Sequence, residues 1–252
     1  MRKINEIFYS IQGEGHHTGV PSVFVRFSGC NLRCPFCDTN HEEGELLSDD
    51  EIIRRVNQFP QARWIVLTGG EPSLWIDGAF VRKLKQSTGK LIAIETNGTN
   101  MVPNEIDWIT VSPKAGISTV IAESDVTGQT DNPVLTDSYQ TPEEWIDNIS
   151  VRPNNPIGGM ESGPTEIDGK DTPRRGIRLP IASELKVVDV GQNLDWYFRS
   201  PWVGRVTIFY LQPCYDPDPA QCALNLARTV ARVLANPKWR LSLQTHRYIG
   251  IK

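Results

Sequence analysis

Apolar residues in this chain fall in short runs separated by segments with helical spacing. Val23-Phe24-Val25-Arg26-Phe27 predicts a strand. Ser48 to Phe59 predicts a helix, with Ser48 as N-cap and Glu51 three residues on, the pattern of a capping box. Trp64-Ile65-Val66-Leu67 predicts a buried strand, 78–87 a helix, and Leu91 to Ile94 and Trp108 to Val111 two further strands. The rhythm then breaks. It resumes with a strand at Glu184 to Val188, a helix around 192–199, a strand from Arg205 to Leu211, a long helix over 219–235 and a last strand from Arg240 to Leu243. Strands buried on both faces read as continuous apolar runs, so this alternation argues for parallel βαβ units. Six or seven such strands suit an α/β fold of the partial or distorted barrel kind, whose chemistry collects at the C-terminal strand ends.

The break spans 115–183, with seven Pro, seven Gly and eleven acidic residues against five basic ones. A loop this long without structure is unusual inside a compact domain. The chain is read as one domain over 1–252 carrying 115–183 as an irregular insertion. That insertion is either a surface excursion or a lid or oligomer contact anchored by Tyr139, Trp145 and Ile149.

Composition narrows the class. In 252 residues, 39% are hydrophobic and 22% charged, which is ordinary for a globular chain. The net charge of −4 offers no basic stripe for nucleic acid, so no nucleic-acid partner is expected. No apolar run approaches the ~18 residues of a membrane span. A soluble, cytoplasmic protein is the expectation. No secretory signal is read, and five cysteines are an odd number, so a disulfide framework is not expected.

Those cysteines carry the most specific chemistry. Cys30, Cys34 and Cys37 stand at C-x₃-C-x₂-C spacing just after the first strand. A [4Fe–4S] cube is normally held by four thiolates, so three close cysteines leave one iron open to a small molecule. Reductive cleavage of S-adenosylmethionine (SAM) needs that arrangement. A structural zinc site with His41 as fourth ligand accounts for the same triplet.

Other motifs also fall where strands end. They are Thr68-Gly69-Gly70-Glu71-Pro72, Glu95-Thr96-Asn97-Gly98-Thr99, Ser112-Pro113-Lys114 and Leu211-Gln212-Pro213. Gly69-Gly70 lets backbone approach a ligand, with Glu71 accepting from its ammonium; a plain tight turn explains the same residues. Lys114 is a partner for a carboxylate or ribose, or a solvated lysine. Ser10-Ile11-Gln12-Gly13-Glu14-Gly15 reads as a polar recognition loop or as a turn between strands. Arg26 interrupts an apolar strand, so it snorkels or points into a site, where a guanidinium suits a carboxylate. Thr39, after Cys37 and Asp38, is a candidate ligand for Mg²⁺, a hard ion that prefers oxygen. His16, His17 and His246 are either acid–base groups or structural.

Together the Cys triplet, the GGEP turn and the strand order resemble the radical SAM superfamily. Within it the chain resembles the 7-carboxy-7-deazaguanine synthase family. The closer likeness rests on Phe8-Tyr9-Ser10-Ile11-Gln12-Gly13-Glu14-Gly15, Gly29-Cys30-Asn31-Leu32, Cys37-Asp38-Thr39, Glu95 to Thr99, Val111 to Lys114 and Gln244-Thr245-His246-Arg247-Tyr248-Ile249. It does not extend over roughly 115–183, where the family is usually shorter.

The resemblance implies a (β/α)6-type radical SAM barrel and a lyase of queuosine and 7-deazapurine biosynthesis. Cys30, Cys34 and Cys37 hold the cluster, and SAM binds its open iron. An electron from a flavodoxin-like donor cleaves SAM to a 5′-deoxyadenosyl radical, which takes hydrogen from C6 of 6-carboxy-5,6,7,8-tetrahydropterin. The ring contracts, ammonia leaves, and SAM is regenerated. Thr39 ligates Mg²⁺. Phe36, Asp38, Gly70, Ser112, Pro113, Lys114, Gln212, Pro213, Cys214 and Tyr215 contact SAM. Ile11, Gln12, Gly13, Arg26, Thr68 and Lys252, the last through its carboxylate, contact the pterin. A homodimer is implied as well. Cys214 departs from the pattern and is expected to be an ordinary thiol, and Cys222 a packed one. The rivals are a glycyl-radical-enzyme activase, which shares the cysteines and GGEP but needs no Gln-Gly-Glu loop, and a zinc-stapled binding module.

Overall fold

Alternation within the short strands decides how the sheet is used. The computed structural model describes residues 1–114, 182–199, 206 and 208–252. Its strands are β1 (Arg2–Ile11), β2 (Pro21–Phe27), β3 (Glu45–Leu47), β4 (Trp64–Gly69), β5 (Leu91–Thr96), β6 (Trp108–Val111), β7 (Glu184–Asp189), β8 (Ile208–Pro213) and β9 (Trp239–Leu241). They form one sheet in the order β3-β1-β2-β4-β5-β6-β7-β8-β9. The seven strands from β2 to β9 along that order are parallel, as the apolar runs predict. The helices are α1 (Asp49–Val56), α2 (Gly78–Thr88), α3 (Asp195–Arg199), α4 (Pro219–Ala235) and α5 (Thr245–Tyr248).

One face of the parallel strands is apolar and covered by helices. Val23, Val25 and Phe27 of β2 continue through Ile65 and Leu67, Ile92 and Ile94, Leu185 and Val187 to Leu211. Ile52, Ile53 and Val56 of α1 and Phe80, Val81 and Leu84 of α2 join the same core. The intervening residues face the other way. Their lower layer is apolar, with Phe24, Val66 and Ala93 packed against Phe8, Trp64 and Trp108. Further along the same strands stand Arg26, Thr68, Glu95, Lys186 and Gln212, all bordering a cavity. A strand period of two thus separates core from site in one sequence.

Two strands were not legible in the apolar pattern. β1 pairs antiparallel with β2, with a register shift between Ile4 and Glu6, and β3 pairs antiparallel with β1. β3 is the outermost strand and pairs only with Arg2 to Ile4, so the rest of β1 is also an edge, where half-exposed strands mix polar and apolar residues. Arg2 at the start of β1 is buried and donates to Asp49, to Asp77 and to the Trp75 carbonyl, so it ties the edge to the starts of α1 and α2. α1 ends three residues before Phe59, because the residue before Pro60 disfavours helical backbone. Ser48 Oγ accepts from Glu51 N at 3.2 Å, but the Glu51 carboxylate turns to Arg54 and Arg55 instead of closing a capping box. Asp77 and Asp218 cap α2 and α4.

The two ends of the sheet are drawn together beyond the strands. Thr245 N and Oγ1 both donate to the Gly13 carbonyl at 3.0 Å, and Gly15 N donates to Ser242 Oγ at 3.0 Å. The curled, incompletely closed sheet is the partial barrel expected. Residues 115–181 lie outside the described residues, and with them the lid or oligomer-contact reading and Tyr139, Trp145 and Ile149. Among the described residues no helix is long and apolar enough to cross a membrane.

Candidate active site

Parallel strands present their C-terminal ends on one rim, and there the loops enclose a cavity of about 440 Å³. Its first wall is made where two loops interlock. Gly70 N donates to Phe27 O and Glu71 N to Gly29 O, each at 2.9 Å. A Cβ on Gly70 would lie 2.0 Å from the Gly29 carbonyl oxygen, so only glycine lets the loops after β2 and β4 meet. Glu71, expected to accept from a ligand's ammonium, is fully buried away from the cavity. Its carboxylate accepts from Ser73 N (3.0 Å), Ser73 Oγ (2.6 Å), Thr96 Oγ1 (2.6 Å) and Asn97 N (2.7 Å). Those four donors occupy it, so Glu71 joins the loops after β4 and β5 and is not a ligand contact. Burial raises its pKa against the pull of those hydrogen bonds.

The cysteine loop forms the second wall. Cys30, Cys34 and Cys37 all border the cavity. Cys37 N donates to Cys34 O at 3.0 Å, which closes the x₂ turn, and Leu32 N points at Cys30 Sγ at 3.4 Å. Burial pushes the Cys30 thiol up to about 12 and raises that of Cys34, the latter opposed by the Lys114 charge. A cationic group beside Cys30 and Cys34 would therefore favour their thiolates. Three soft sulfur donors on one wall, with a backbone N–H already directed at one of them, fit an iron–sulfur cluster. Thr39 and His41 border the same cavity. Thr39 Oγ1 lies 3.4 Å from Asp38 Oδ1.

The floor carries buried charge. Lys186 donates to Glu14 and, at 3.3 Å, to Glu95, with only 5% of its side chain exposed. Burial alone would raise Glu14, but Lys186 and the Gln244 hydrogen bond outweigh it and lower the carboxyl to about 2. Burial would lower Lys186, and Glu14 and Glu95 outweigh that and raise it. Glu184 accepts from Thr110 Oγ1 (2.8 Å) and His16 N (2.9 Å), and burial raises its pKa. Gln12 bridges the group, donating to Glu95 at 2.9 Å and accepting from Glu14 N at 3.1 Å.

The remaining wall holds Arg26 and the last residues of the chain. Arg26 Nε is buried without a hydrogen-bond partner and lies 3.4 Å from Glu6 Oε1. Lys252 pairs with Glu6, and its ammonium stands 4.8 Å from the Phe8 ring centre. His246 packs so closely on Gly13 that a Cβ there would fall 2.1 Å from its Nδ1. Burial lowers the His246 pKa. Lys114 Nζ donates to Ser112 Oγ at 2.7 Å and lies 5.8 Å from the Phe36 ring centre.

Most residues expected from the sequence border this one cavity. They are Ile11, Gln12, Gly13, Arg26, Phe36, Asp38, Thr39, Thr68, Gly70, Ser112, Lys114, Gln212, Pro213, Tyr215 and Lys252, besides the three cysteines. Pro113 and Cys214 do not. Pro113 is buried between the inward Ser112 and Lys114, and the Cys214 carbonyl accepts from Asn225 at 2.9 Å while its thiol turns to Tyr215 O. Lys186, Glu95, Gln244 and Arg247 border the cavity without having been assigned roles. The signal that marked Arg26, a charge interrupting an apolar strand, is present at Lys186 too.

Similarity to known proteins agrees with this geometry. A family model described as Radical SAM superfamily matches residues 24–122. The 7-carboxy-7-deazaguanine synthase of Bacteroides thetaiotaomicron is 43% identical over 252 residues, covering 100% of both chains. The enzyme of the same name from Haemophilus influenzae is 31% identical over 255 residues, covering 99% of this chain and 93% of that one. The crystal structure of QueE from Escherichia coli aligns with a TM-score of 0.56 at 22% identity, over 96% of this chain and 93% of that one, a likeness of fold. The Bacteroides match runs through 115–183, so the insertion is shared with that relative.

Proposed function

The chain belongs to the 7-carboxy-7-deazaguanine synthase family of the radical SAM superfamily, and from that premise we propose that it converts 6-carboxy-5,6,7,8-tetrahydropterin to 7-carboxy-7-deazaguanine with loss of ammonia. It is a radical SAM enzyme of 7-deazapurine biosynthesis. One observation carries the substrate reading. The three cysteines share a cavity with Arg26, whose buried Nε–H makes no hydrogen bond and is held only by the 3.4 Å ion pair with Glu6. A guanidinium bordering the cavity with hydrogen-bonding capacity to spare suits an anion, and a pterin carboxylate supplies one.

When bound, the cluster and SAM supply the one-electron chemistry that starts the reaction. This chain's residues bind and orient. Cys30, Cys34 and Cys37 would hold the cluster, and the Gly70 backbone, Ser112, Lys114, Gln212, Pro213, Tyr215, Phe36 and Asp38 would line SAM. Ile11, Gln12, Gly13, Thr68 and Lys252 would hold the pterin beside Arg26. The Lys186 cluster keeps Glu14 ionised and fixes Gln12 by hydrogen bonds, so the polar edge of the ring would meet preset partners.

The Thr39 hydroxyl, which borders the cavity, is proposed as the group that would hold a Mg²⁺ beside the substrate, where the ion would supply positive charge. Mg²⁺ retains water and needs few protein oxygens, which suits a lone hydroxyl. A flavodoxin-like donor belongs to the proposal, supported by the exposed Cys37 edge, and a homodimer is carried by the family resemblance alone.

The test is an anaerobic assay of iron-reconstituted protein with SAM, Mg²⁺, a reductant and the tetrahydropterin, read by mass. Product that vanishes in Cys34→Ala is the expected result. Release of 5′-deoxyadenosine without 7-carboxy-7-deazaguanine would reject the substrate but keep the radical chemistry.

A further inference from the structure

Residues 244–247 touch three separate rims of the cavity. Thr245 binds the loop after β1 through the Gly13 carbonyl. Gln244 Nε2 donates to Glu14 Oε1 at 2.9 Å and to Asp38 Oδ2 at 3.1 Å. Arg247 makes the widest connection. Its Nη2 donates to Asp38 Oδ2 at 2.6 Å, and its guanidinium carbon sits 3.7 Å from the centre of the Tyr215 ring. One planar side chain therefore spans from the cysteine loop, one residue after Cys37, to the turn after β8.

We propose that Arg247 is a positioning residue for SAM: it clamps Asp38 and Tyr215 together across the mouth of the cavity. The proposal rests on the reading above, in which those two residues contact the cofactor. A guanidinium suits this task because its flat face stacks on a ring while its edge donates to a carboxylate. Neither the cysteine loop nor the β8 turn belongs to the other's strand pair, since β2 and β8 are separated by four strands in the sheet. Their spacing across the mouth is not set by β-ladder hydrogen bonds between them, so a side-chain clamp has something to decide. The free protein already holds the two groups together, and ordering costs that binding would otherwise meet are met beforehand.

The experiment compares parent, Arg247→Ala and Arg247→Lys enzymes, reconstituted with iron under anaerobic conditions. SAM affinity is measured by equilibrium dialysis, with iron content and the KM values for SAM and pterin measured separately. Losing a stacked, hydrogen-bonded guanidinium removes two contacts, and Arg247→Ala is expected to weaken SAM binding about tenfold. Iron content and pterin KM should stay within about twofold of the parent, because Thr245 and Gln244 still hold the Gly13 loop. Lysine reaches Asp38 but lacks the flat face, so Arg247→Lys should recover only part of the loss. SAM affinity unchanged in Arg247→Ala overturns the proposal. So does loss of iron in both variants, which would make the clamp a support for the cysteine loop. A parent enzyme that binds no SAM overturns the functional reading and this inference with it, and only that outcome touches both.

Discussion

Lys186→Met tests whether the buried charges under the cavity are a balanced unit. The substitution keeps the side chain's length and removes its charge, leaving Glu14 and Glu95 facing an apolar group. At the 3.3 Å separation from Glu95, an effective dielectric near 20 gives an attraction of about 5 kcal/mol, and the Glu14 contact is at least as close. Against this stands the several kcal/mol needed to bury the ammonium. Breaking one side of a buried ionic group typically leaves a net loss of about 3–5 kcal/mol, and that is the expected value at pH 8.

The pH dependence carries the sign. Glu14 is lowered from 4.5 to about 2, so its stabilisation is present above pH 4.5 and fades as pH falls toward 2. Lys186 is raised above 10.5, so its contribution holds below that pH and is lost as pH rises through its folded value. The parent should therefore keep this contribution across the neutral range. In Lys186→Met, Glu14 loses its cation while remaining buried, so it takes up a proton more readily and the deficit should shrink between pH 8 and pH 5. Urea unfolding followed by tryptophan fluorescence at both pH values measures it. A loss below about 1 kcal/mol, or one equal at the two pH values, would refute the picture of a lysine balancing buried carboxylates.

Gly70→Ala places a methyl 2.0 Å from the Gly29 carbonyl, so the loops must part; a thermal midpoint several degrees lower, with SAM binding reduced in step, is expected. Glu71→Gln presents an amide N–H₂ to a shell of donors, and unfolding should show a loss of about 1–3 kcal/mol with SAM affinity unchanged. SAM affinity weakened about tenfold in the same variant would restore Glu71 as a ligand contact. Arg26→Ala should raise the pterin KM about tenfold or more and leave SAM affinity near the parent's, as two titrations of one enzyme preparation would show.

Local signals determined a great deal about this protein. Short apolar runs with helical spacers declared parallel βαβ units, because a strand covered on both faces must be apolar throughout. The spacing of Cys30, Cys34 and Cys37 is a property of a few consecutive residues, so its chemistry was legible without a fold. Turn motifs at the strand ends pointed to one rim for the same reason. Arg26 was visible because a charge inside an apolar strand is costly unless it faces something.

Other features exist only once distant residues meet. β3 and the part of β1 beyond Ile4 carry mixed residues because they sit at an edge, and edge position is a fact of assembly. Glu71 looks like a free carboxylate in sequence, and its role is decided by donors from Ser73, Thr96 and Asn97 that arrive from the neighbouring loop. Glu14, Glu95 and Lys186 lie on three elements and form one ion-paired cluster only because the curled sheet brings them within contact. Arg247 acquires Asp38 and Tyr215 in the same way, across 209 and 32 positions of chain. Periodicity and spacing report what neighbouring residues can do; charge balance and hydrogen-bond saturation depend on what folding places opposite them.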